Sequence, residues 1–109
     1  MNALRFVTTR LIDVQTRYRE LMTERVEWRL ARTLLRLVRD AGHRVDGGVE
    51  VDFPVSRRDL ADMTGTTLYT VSRLLSDWER RGILRAGRQQ VVLVRPQALV
   101  AIVDDLPDR

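Results

Sequence analysis

The chain has 109 residues, a length that suits one domain with a modest core, and its composition excludes several classes of protein. Cysteine is absent and His43 is the single histidine, so disulfides, thiolate nucleophiles and most transition-metal sites have no residues to form them. We therefore expect no enzyme activity, no catalytic or metal-binding residues and no cofactor. No apolar run approaches the ~20 residues that span a bilayer, and the N-terminus lacks a signal-peptide pattern. These features predict a cytoplasmic protein without membrane contact.

Positive charge is concentrated in one segment of the chain. All 19 basic residues are arginines. Residues 56–95 have eight arginines against four acids, a balance of +4, whereas residues 1–55 have ten against eight and the last fourteen residues come to −2. A local excess of this kind is typical of a surface that binds a polyanion. A solvated charged surface without a partner gives the same bias, so charge alone does not decide the function.

Apolar residues near the N-terminus follow a heptad spacing of alternating three and four residues. They are Leu4, Val7, Leu11, Val14, Tyr18 and Leu21. So narrow a stripe is typical of a coiled coil, whereas a helix on its own domain usually has a wider one. We therefore predict a dimerisation helix over residues 1–23, paired with the same helix of a second chain. At ~1.5 Å per residue the stripe is roughly 26 Å long, so this contact alone would give a marginal dimer.

Residues 24–109 are predicted to form a second unit. After a hinge at residues 22–24, apolar positions widen to a helical stripe, and this helix is expected to reach about Ala41. Gly42 is expected to end it in the left-handed conformation common after helices. The Asp46-Gly47-Gly48 turn then indicates a short hairpin. Its half-buried side is predicted to carry Val49, Val51 and Phe53.

Two further helices around a glycine turn are predicted next. A capping box, Ser56 to Asp59, starts a short helix with Leu60, Ala61 and Met63 facing inward. Gly65 makes the turn. Thr66 or Thr67 caps a second helix over Thr67–Arg81, which Gly82 ends. Its predicted core residues are Val71, Leu74, Leu75 and Trp78.

The spacing of these residues is typical of a helix-turn-helix. Counted from Arg57, a small residue stands fifth, a glycine ninth and apolar residues fifteenth and eighteenth: Ala61, Gly65, Val71 and Leu74. Two β runs around Arg85–Gln90 then form a wing, and Pro96 begins a last helix over Gln97–Val103. The predicted fold is mainly α with small β-hairpins, a winged helix-turn-helix at residues 56–95 that binds DNA. A helical hairpin without a DNA role fits the same spacing.

The exposed side of the predicted recognition helix carries the candidate base contacts. These are Arg73, Ser72, Tyr69 and Leu68. An arginine can bind guanine O6 and N7 together, although Arg73 also suits a phosphate or an ion pair with Asp77. Partial packing is the alternative for Tyr69, and for Leu68 burial against a neighbour is favoured over a contact with a thymine methyl group. Residues near helix starts and at the wing tip are predicted to contact phosphate: Arg57, Arg58, Thr67, Thr70 and Arg88.

With a helix, a hairpin, a helix-turn-helix and a wing in this order, the chain resembles the C-terminal part of the Crp/Fnr family of bacterial transcription regulators. RLARTLLRL at 29–37 looks like the family's helix after the hinge, and TLYTVSRLLSDWERRGIL at 67–84 looks like its recognition helix and wing entry. Residues 1–22 look like the end of its dimerisation helix. The resemblance implies a homodimer that binds a palindromic operator with TTG-like half-sites. RNA polymerase is a further candidate partner.

The recognition helix departs from the family pattern at two positions. Arg73 falls where the family has a guanine-reading arginine, and Ser72 completes the Ser-Arg pair of the Fnr-like branch. Tyr69, however, stands where many members have a base-reading glutamate, and Leu68 where the cyclic-AMP-responsive members have an arginine. These departures argue against that branch's operator. They suggest a variant such as the nitric-oxide-responsive or denitrification-linked regulators, which have similar Leu-Tyr-Thr-Val-Ser-Arg strings.

The sensory β-roll of family members has no counterpart in this sequence. The chain is either a piece of a longer regulator cut at the dimer helix, which we favour, or a short regulator that begins there. The leading hypothesis is a sequence-specific transcription regulator that binds double-stranded DNA as a homodimer. The alternative is a winged-helix module that binds a protein instead. Such a module would present an apolar or acidic helix, and Ser72-Arg73 with its basic flanks argues against it.

Overall fold

The protein is described from a computed structural model over residues 25–105. The predicted dimerisation residues, Leu4 to Leu21, and the predicted hinge therefore lie outside the described residues. The elements follow the order helix, hairpin, two helices, hairpin, helix, which confirms a mainly α fold with small β-hairpins. They are α1 (residues 25–41), β1 (Gly42–Val45), β2 (Gly48–Val51), α2 (Arg57–Thr64), α3 (Leu68–Arg80), β3 (Leu84–Gly87), β4 (Gln90–Leu93) and α4 (Pro96–Asp105).

Helix α1 passes directly into the first strand. It ends at Ala41, as predicted, and Gly42 is already the first residue of β1. The predicted left-handed conformation of Gly42 is wrong, because its φ is not positive. A glycine is required there for another reason: a Cβ atom would lie 2.3 Å from the carbonyl oxygen of Val38. The close approach of strand and helix thus selects the glycine.

The two hairpins join into one antiparallel sheet in the order β1-β2-β4-β3. The predicted turn between β1 and β2 is confirmed, with Gly47 at φ +83. Val49 pairs with Leu93, which connects the first hairpin to the wing. Phe53 is a correction: β2 ends at Val51, so the predicted alternation stops there and the Phe53 side chain is 45% exposed.

The core lies between the helices and the inner side of this sheet. Trp78 of α3 is fully buried with residues of every other helix and of the sheet: Leu30, Leu34, Leu60, Leu84, Leu93 and Leu99. All four predicted core residues of α3 are buried. Met63 was predicted to face inward and is 54% exposed. Thr64 is buried instead. Its hydroxyl donates a hydrogen bond to the Leu60 carbonyl at 2.7 Å, so the buried donor is satisfied without water.

The last helix begins at Pro96, as predicted, and continues to Asp105, two residues beyond the predicted end. Within residues 25–105, none of the helices combines the length and the apolar composition that crossing a membrane would need.

Candidate nucleic-acid interface

The start of α3 is built by threonine side chains. Thr67 is the N-cap, and its hydroxyl accepts a hydrogen bond from the backbone N–H of Thr70 at 3.1 Å. The two hydroxyl oxygens of Thr67 and Thr70 lie 3.0 Å apart. Because a helix start carries unpaired N–H groups and partial positive charge, this end of α3 suits a negatively charged group.

The exposed side of α3 carries the predicted base-reading residues. Val71, Leu74, Leu75 and Trp78 face the core, so the opposite side of the helix faces solvent. Tyr69 is 71% exposed, Leu68 is 45% exposed, Arg73 is exposed and Ser72 is half-buried. The predicted packing of Tyr69 is therefore wrong, whereas Leu68, predicted to be buried against a neighbour, is partly covered and partly exposed. A shallow groove along this side is also lined by Glu27 of α1.

The guanidinium of Arg73 is not paired with Asp77, the alternative partner one turn later. Asp77 instead accepts from Arg80 at 3.2 Å and from Arg81 at 3.4 Å. The hydrogen bond from Arg80, helped by Arg81, holds the pKa of Asp77 below its ordinary value, so the carboxylate is charged and occupied. Arg73 lies over Tyr69, with its guanidinium carbon 5.9 Å from the ring centre.

The predicted capping box positions the arginines of α2. The Ser56 hydroxyl accepts from the Asp59 N–H at 3.0 Å, and the Asp59 carboxylate accepts from the Ser56 N–H at 2.9 Å. These two bonds hold the pKa of Asp59 below its ordinary value. The helix thus begins at Arg57 and Arg58. Arg57 forms a loose ion pair with Glu79 of α3 at 3.8 Å, whereas Arg58 is exposed.

The wing places its tip beside the first turn of α2. Gln89 adopts φ +57, a left-handed conformation that is uncommon for residues other than glycine. Its carbonyl accepts from the Val55 N–H at 3.1 Å, a bond that ties the tip to the segment before α2. The exposed Arg88 stands next to it. An open cleft, the wing cleft, results, lined by Ser56, Arg57, Arg58, Leu68, Ala86, Gly87, Arg88 and Gln89.

The wing cleft unites residues that the sequence placed in three separate elements. Arg57, Arg58, Leu68 and Arg88 line it together, while Tyr69, Ser72, Arg73 and Thr70 line the groove along α3. Gln89 was not predicted as part of the site. A residue other than glycine at a tight turn is only a weak indication of a functional position. Nothing in the sequence indicates that Gln89 contacts Val55.

Arg29 is a second residue that sequence reasoning missed. Its Nε donates to the carbonyl of Thr64 at 2.8 Å, at the end of α2 and just before the Gly65 turn. The φ of Gly65 is +68, as predicted for the turn. On the preceding residue of the chain, the indole of Trp28 donates to the Val103 carbonyl of α4 at 3.0 Å. Helix α1 thereby contacts both the turn and the last helix. Contacts between residues so distant in the chain leave no local pattern in the sequence from which they could be predicted.

Two helices around a glycine turn, an exposed second helix and a β-hairpin at its side define a winged helix-turn-helix domain. The model of the Crp-like helix-turn-helix domain family matches residues 28–102. The chain therefore belongs to this family, within the Crp/Fnr regulators to which the sequence bears its resemblance.

Proteins similar in sequence to this chain include known regulators. The global nitrogen regulator of Nostoc sp. is 27% identical over 99 residues, covering 91% of this chain and 44% of that protein. The nitrogen fixation regulation protein FixK of Rhizobium meliloti is 33% identical over 61 residues, covering 55% and 29%. The catabolite activator protein of Thermus thermophilus superposes with a TM-score of 0.73 at 26% identity, covering 94% and 45%. The chain spans less than half the length of each of these proteins.

Proposed function

We propose that this chain binds double-stranded DNA as a sequence-specific transcription regulator, with α3 in the major groove. The observation that carries the proposal is the division of α3 into two sides. One side is buried in the core, and the other presents Tyr69, Ser72 and Arg73 to solvent beside the arginine-lined wing cleft. A helix presented in this way fits the width of the major groove, and its first turns reach the base edges.

Arg73 is the residue we assign to guanine. It is exposed, and within residues 25–105 no carboxylate occupies its guanidinium. Its N–H groups are therefore free to bind guanine O6 and N7. Ser72 lies beside it and reaches a neighbouring base, Leu68 suits a thymine methyl group, and the Tyr69 ring lies against the guanidinium of Arg73. Because Tyr69 and Leu68 differ from the glutamate and arginine of the better-known branch, the bases beside the guanine differ too.

The phosphate contacts we assign lie on both sides of this helix. Thr67 and Thr70 stand at the start of α3, where the helix dipole favours an anion. Arg57, Arg58 and Arg88 line the wing cleft, so a phosphate strand that follows the cleft meets three guanidinium groups. Such contacts fix the orientation of a protein on the duplex and carry no sequence information themselves.

The operator we propose is a palindrome with TTG-like half-sites, bound by a homodimer. The heptad stripe from Leu4 to Leu21 supports the dimer, and family membership supports both the dimer and the half-site. Two recognition helices related by a two-fold axis would then enter successive major grooves about 34 Å apart. RNA polymerase as a further partner stays a prediction.

The proposal is tested by replacing Arg73, the residue assigned to guanine. Two duplexes are compared, a palindrome with TTG half-sites and the same duplex with TTA half-sites. Arg73→Ala is expected to lose a preference for guanine of roughly 5- to 150-fold per half-site, because the bidentate contact supplies it. Val100→Ala, an exposed change on α4, is the matched control and should keep the preference. An unchanged preference in Arg73→Ala would show that another residue reads the base.

A further inference from the structure

Tyr69 and Arg73 form a pair on the exposed side of α3. They are four residues apart, so their side chains lie one above the other on the same side of the helix. The guanidinium carbon of Arg73 is 5.9 Å from the centre of the Tyr69 ring. This is within the ~6 Å over which an arginine is attracted to an aromatic face. Since Tyr69 is 71% exposed, its ring is available to the arginine and is not held by the core.

The carboxylate at helical spacing from Arg73 on α3 is occupied by other arginines. Asp77 stands one turn beyond Arg73 at the spacing of a helical ion pair. It accepts from Arg80 and Arg81 instead, at 3.2 and 3.4 Å. An aromatic ring differs from a carboxylate in one decisive way. It attracts the face of the guanidinium and uses none of its N–H groups, whereas a bidentate carboxylate takes two.

We propose that the Tyr69 ring positions Arg73 for guanine, so that Tyr69 determines specificity through the arginine rather than through its own hydroxyl. The inference rests on the proposed function, since it requires α3 in the major groove. An arginine side chain has many rotamers, and a ring that restrains it lowers the entropy lost when guanine binds. Within residues 25–105 no carboxylate takes the guanidinium N–H groups of Arg73, so these donors are left for the base. Tyr69 is therefore a positioning residue for the base reader.

The test is a double-mutant cycle on the complete chain, using the duplexes with TTG and TTA half-sites. Tyr69→Leu removes the ring and is expected to reduce the preference for guanine by about two- to fivefold per half-site. Tyr69→Phe keeps the ring without the hydroxyl and is expected to restore the preference. In an Arg73→Ala background, Tyr69→Leu should have no further effect on affinity for the TTG duplex. Thermal unfolding of each variant checks that the fold is unchanged, as expected for an exposed residue.

A readout without DNA tests the pair directly. The ring current of Tyr69 should shift the NMR signals of the Arg73 δ protons upfield in the free protein. The shift should persist in Tyr69→Phe and disappear in Tyr69→Leu. Unshifted δ protons in the unaltered chain would overturn the inference.

The remaining outcomes separate the inference from the proposed function. If Tyr69→Leu weakens binding equally with and without Arg73, Tyr69 contacts the base itself and the inference is wrong. It is also wrong if Tyr69→Phe behaves like Tyr69→Leu, or if Tyr69→Leu keeps the full preference. If the unaltered chain binds both duplexes equally, the proposed function fails first, and the positioning role fails with it.

Discussion

The two sides of the helix-turn-helix use arginine in opposite ways. On the supporting side, Arg29 donates to the Thr64 carbonyl at the end of α2, and Arg95 donates to the Arg81 carbonyl at the end of α3, at 2.8 and 2.7 Å. On the exposed side, Arg58, Arg73 and Arg88 have no carboxylate or carbonyl partner within residues 25–105. The same residue type therefore serves structure in one region and remains available in the other.

The difference follows from what each position can reach. The last carbonyls of a helix have no partner inside the helix and carry partial negative charge, so a guanidinium beside them is stabilising. Arg29 and Arg95 meet this need for α2 and α3 from neighbouring elements. The arginines on the exposed side have N–H groups without a partner within residues 25–105, and these donors are available to bind a polyanion. The contrast predicts that changes on the supporting side alter stability, while changes on the exposed side alter DNA binding.

The largest expected effect lies at Trp78, the fully buried residue of α3. Trp78→Ala should lower the free energy of unfolding by about 3–5 kcal/mol, because it leaves a large cavity. The indole N–H of Trp78 has no hydrogen-bond partner within the described part of the chain. Trp78→Phe, which removes that donor and keeps a ring, should therefore cost less.

Chemical denaturation measures both Trp78 variants. Tyr69→Ala, on the exposed side of the same helix, is the matched control and should change the free energy of unfolding by no more than about 0.5 kcal/mol. Equal losses at Trp78 and Tyr69 would contradict the division of α3 into a buried and an exposed side.

A smaller loss is expected at Arg29. Arg29→Met keeps the length of the side chain but leaves the Thr64 carbonyl without its donor, at a cost of about 1–3 kcal/mol in the free energy of unfolding. Arg36→Met, an exposed change on the same helix, should be nearly neutral. Denaturant titration of the two variants gives the comparison. If Arg36→Met is as destabilising as Arg29→Met, the bond to Thr64 contributes nothing specific.

The smallest effect on stability is expected at His43, which lies on β1 and is distant from α3 in the sequence. Its Nδ1 bonds the Asp52 carboxylate, and its Nε2 lies 3.2 Å from Glu50. These partners, Asp52 first, raise the pKa of His43 above 6.5. Because the pKa of His43 is higher in the folded state, the protonated side chain stabilises the protein below pH 6.5. This contribution is lost as the pH rises through the pKa of the folded state.

NMR titration of the His43 ring protons gives the folded pKa directly. His43→Gln should remove this part of the pH dependence of stability, and the change should be small because the side chains of His43 and of its main partner Asp52 are half exposed to solvent. A midpoint at or below the ordinary value would show that the two carboxylates do not act on the ring.

Local rules made the helix-turn-helix predictable from the sequence. The capping box at Ser56, the turn at Gly65 and the buried face of α3 each depend on residues within a few positions of one another. Met63 and Thr64 show where such rules fail. An apolar side chain was favoured for the core, but a threonine that bonds its own helix fits the buried position.

Tertiary contacts were beyond the reach of the sequence. The glycine at position 42 was recognised as necessary, yet its reason is the approach of Val38 and not a positive φ. The wing cleft depends on the bond between Val55 and Gln89, 34 positions apart. Asp77 could have paired with Arg73, Arg80 or Arg81 by spacing alone, and side-chain geometry selects the last two.

The central claim is that the exposed arginines bind the DNA backbone while Arg73 reads a base. The most direct measurement is the affinity for the TTG duplex as a function of salt concentration, with a duplex of scrambled sequence as control. We expect the logarithm of the binding constant to fall linearly with the logarithm of the salt concentration for both duplexes. The slope should be about −0.9 for each phosphate neutralised, and the TTG duplex should be bound more tightly at every salt concentration. An affinity that does not change with salt would contradict the account.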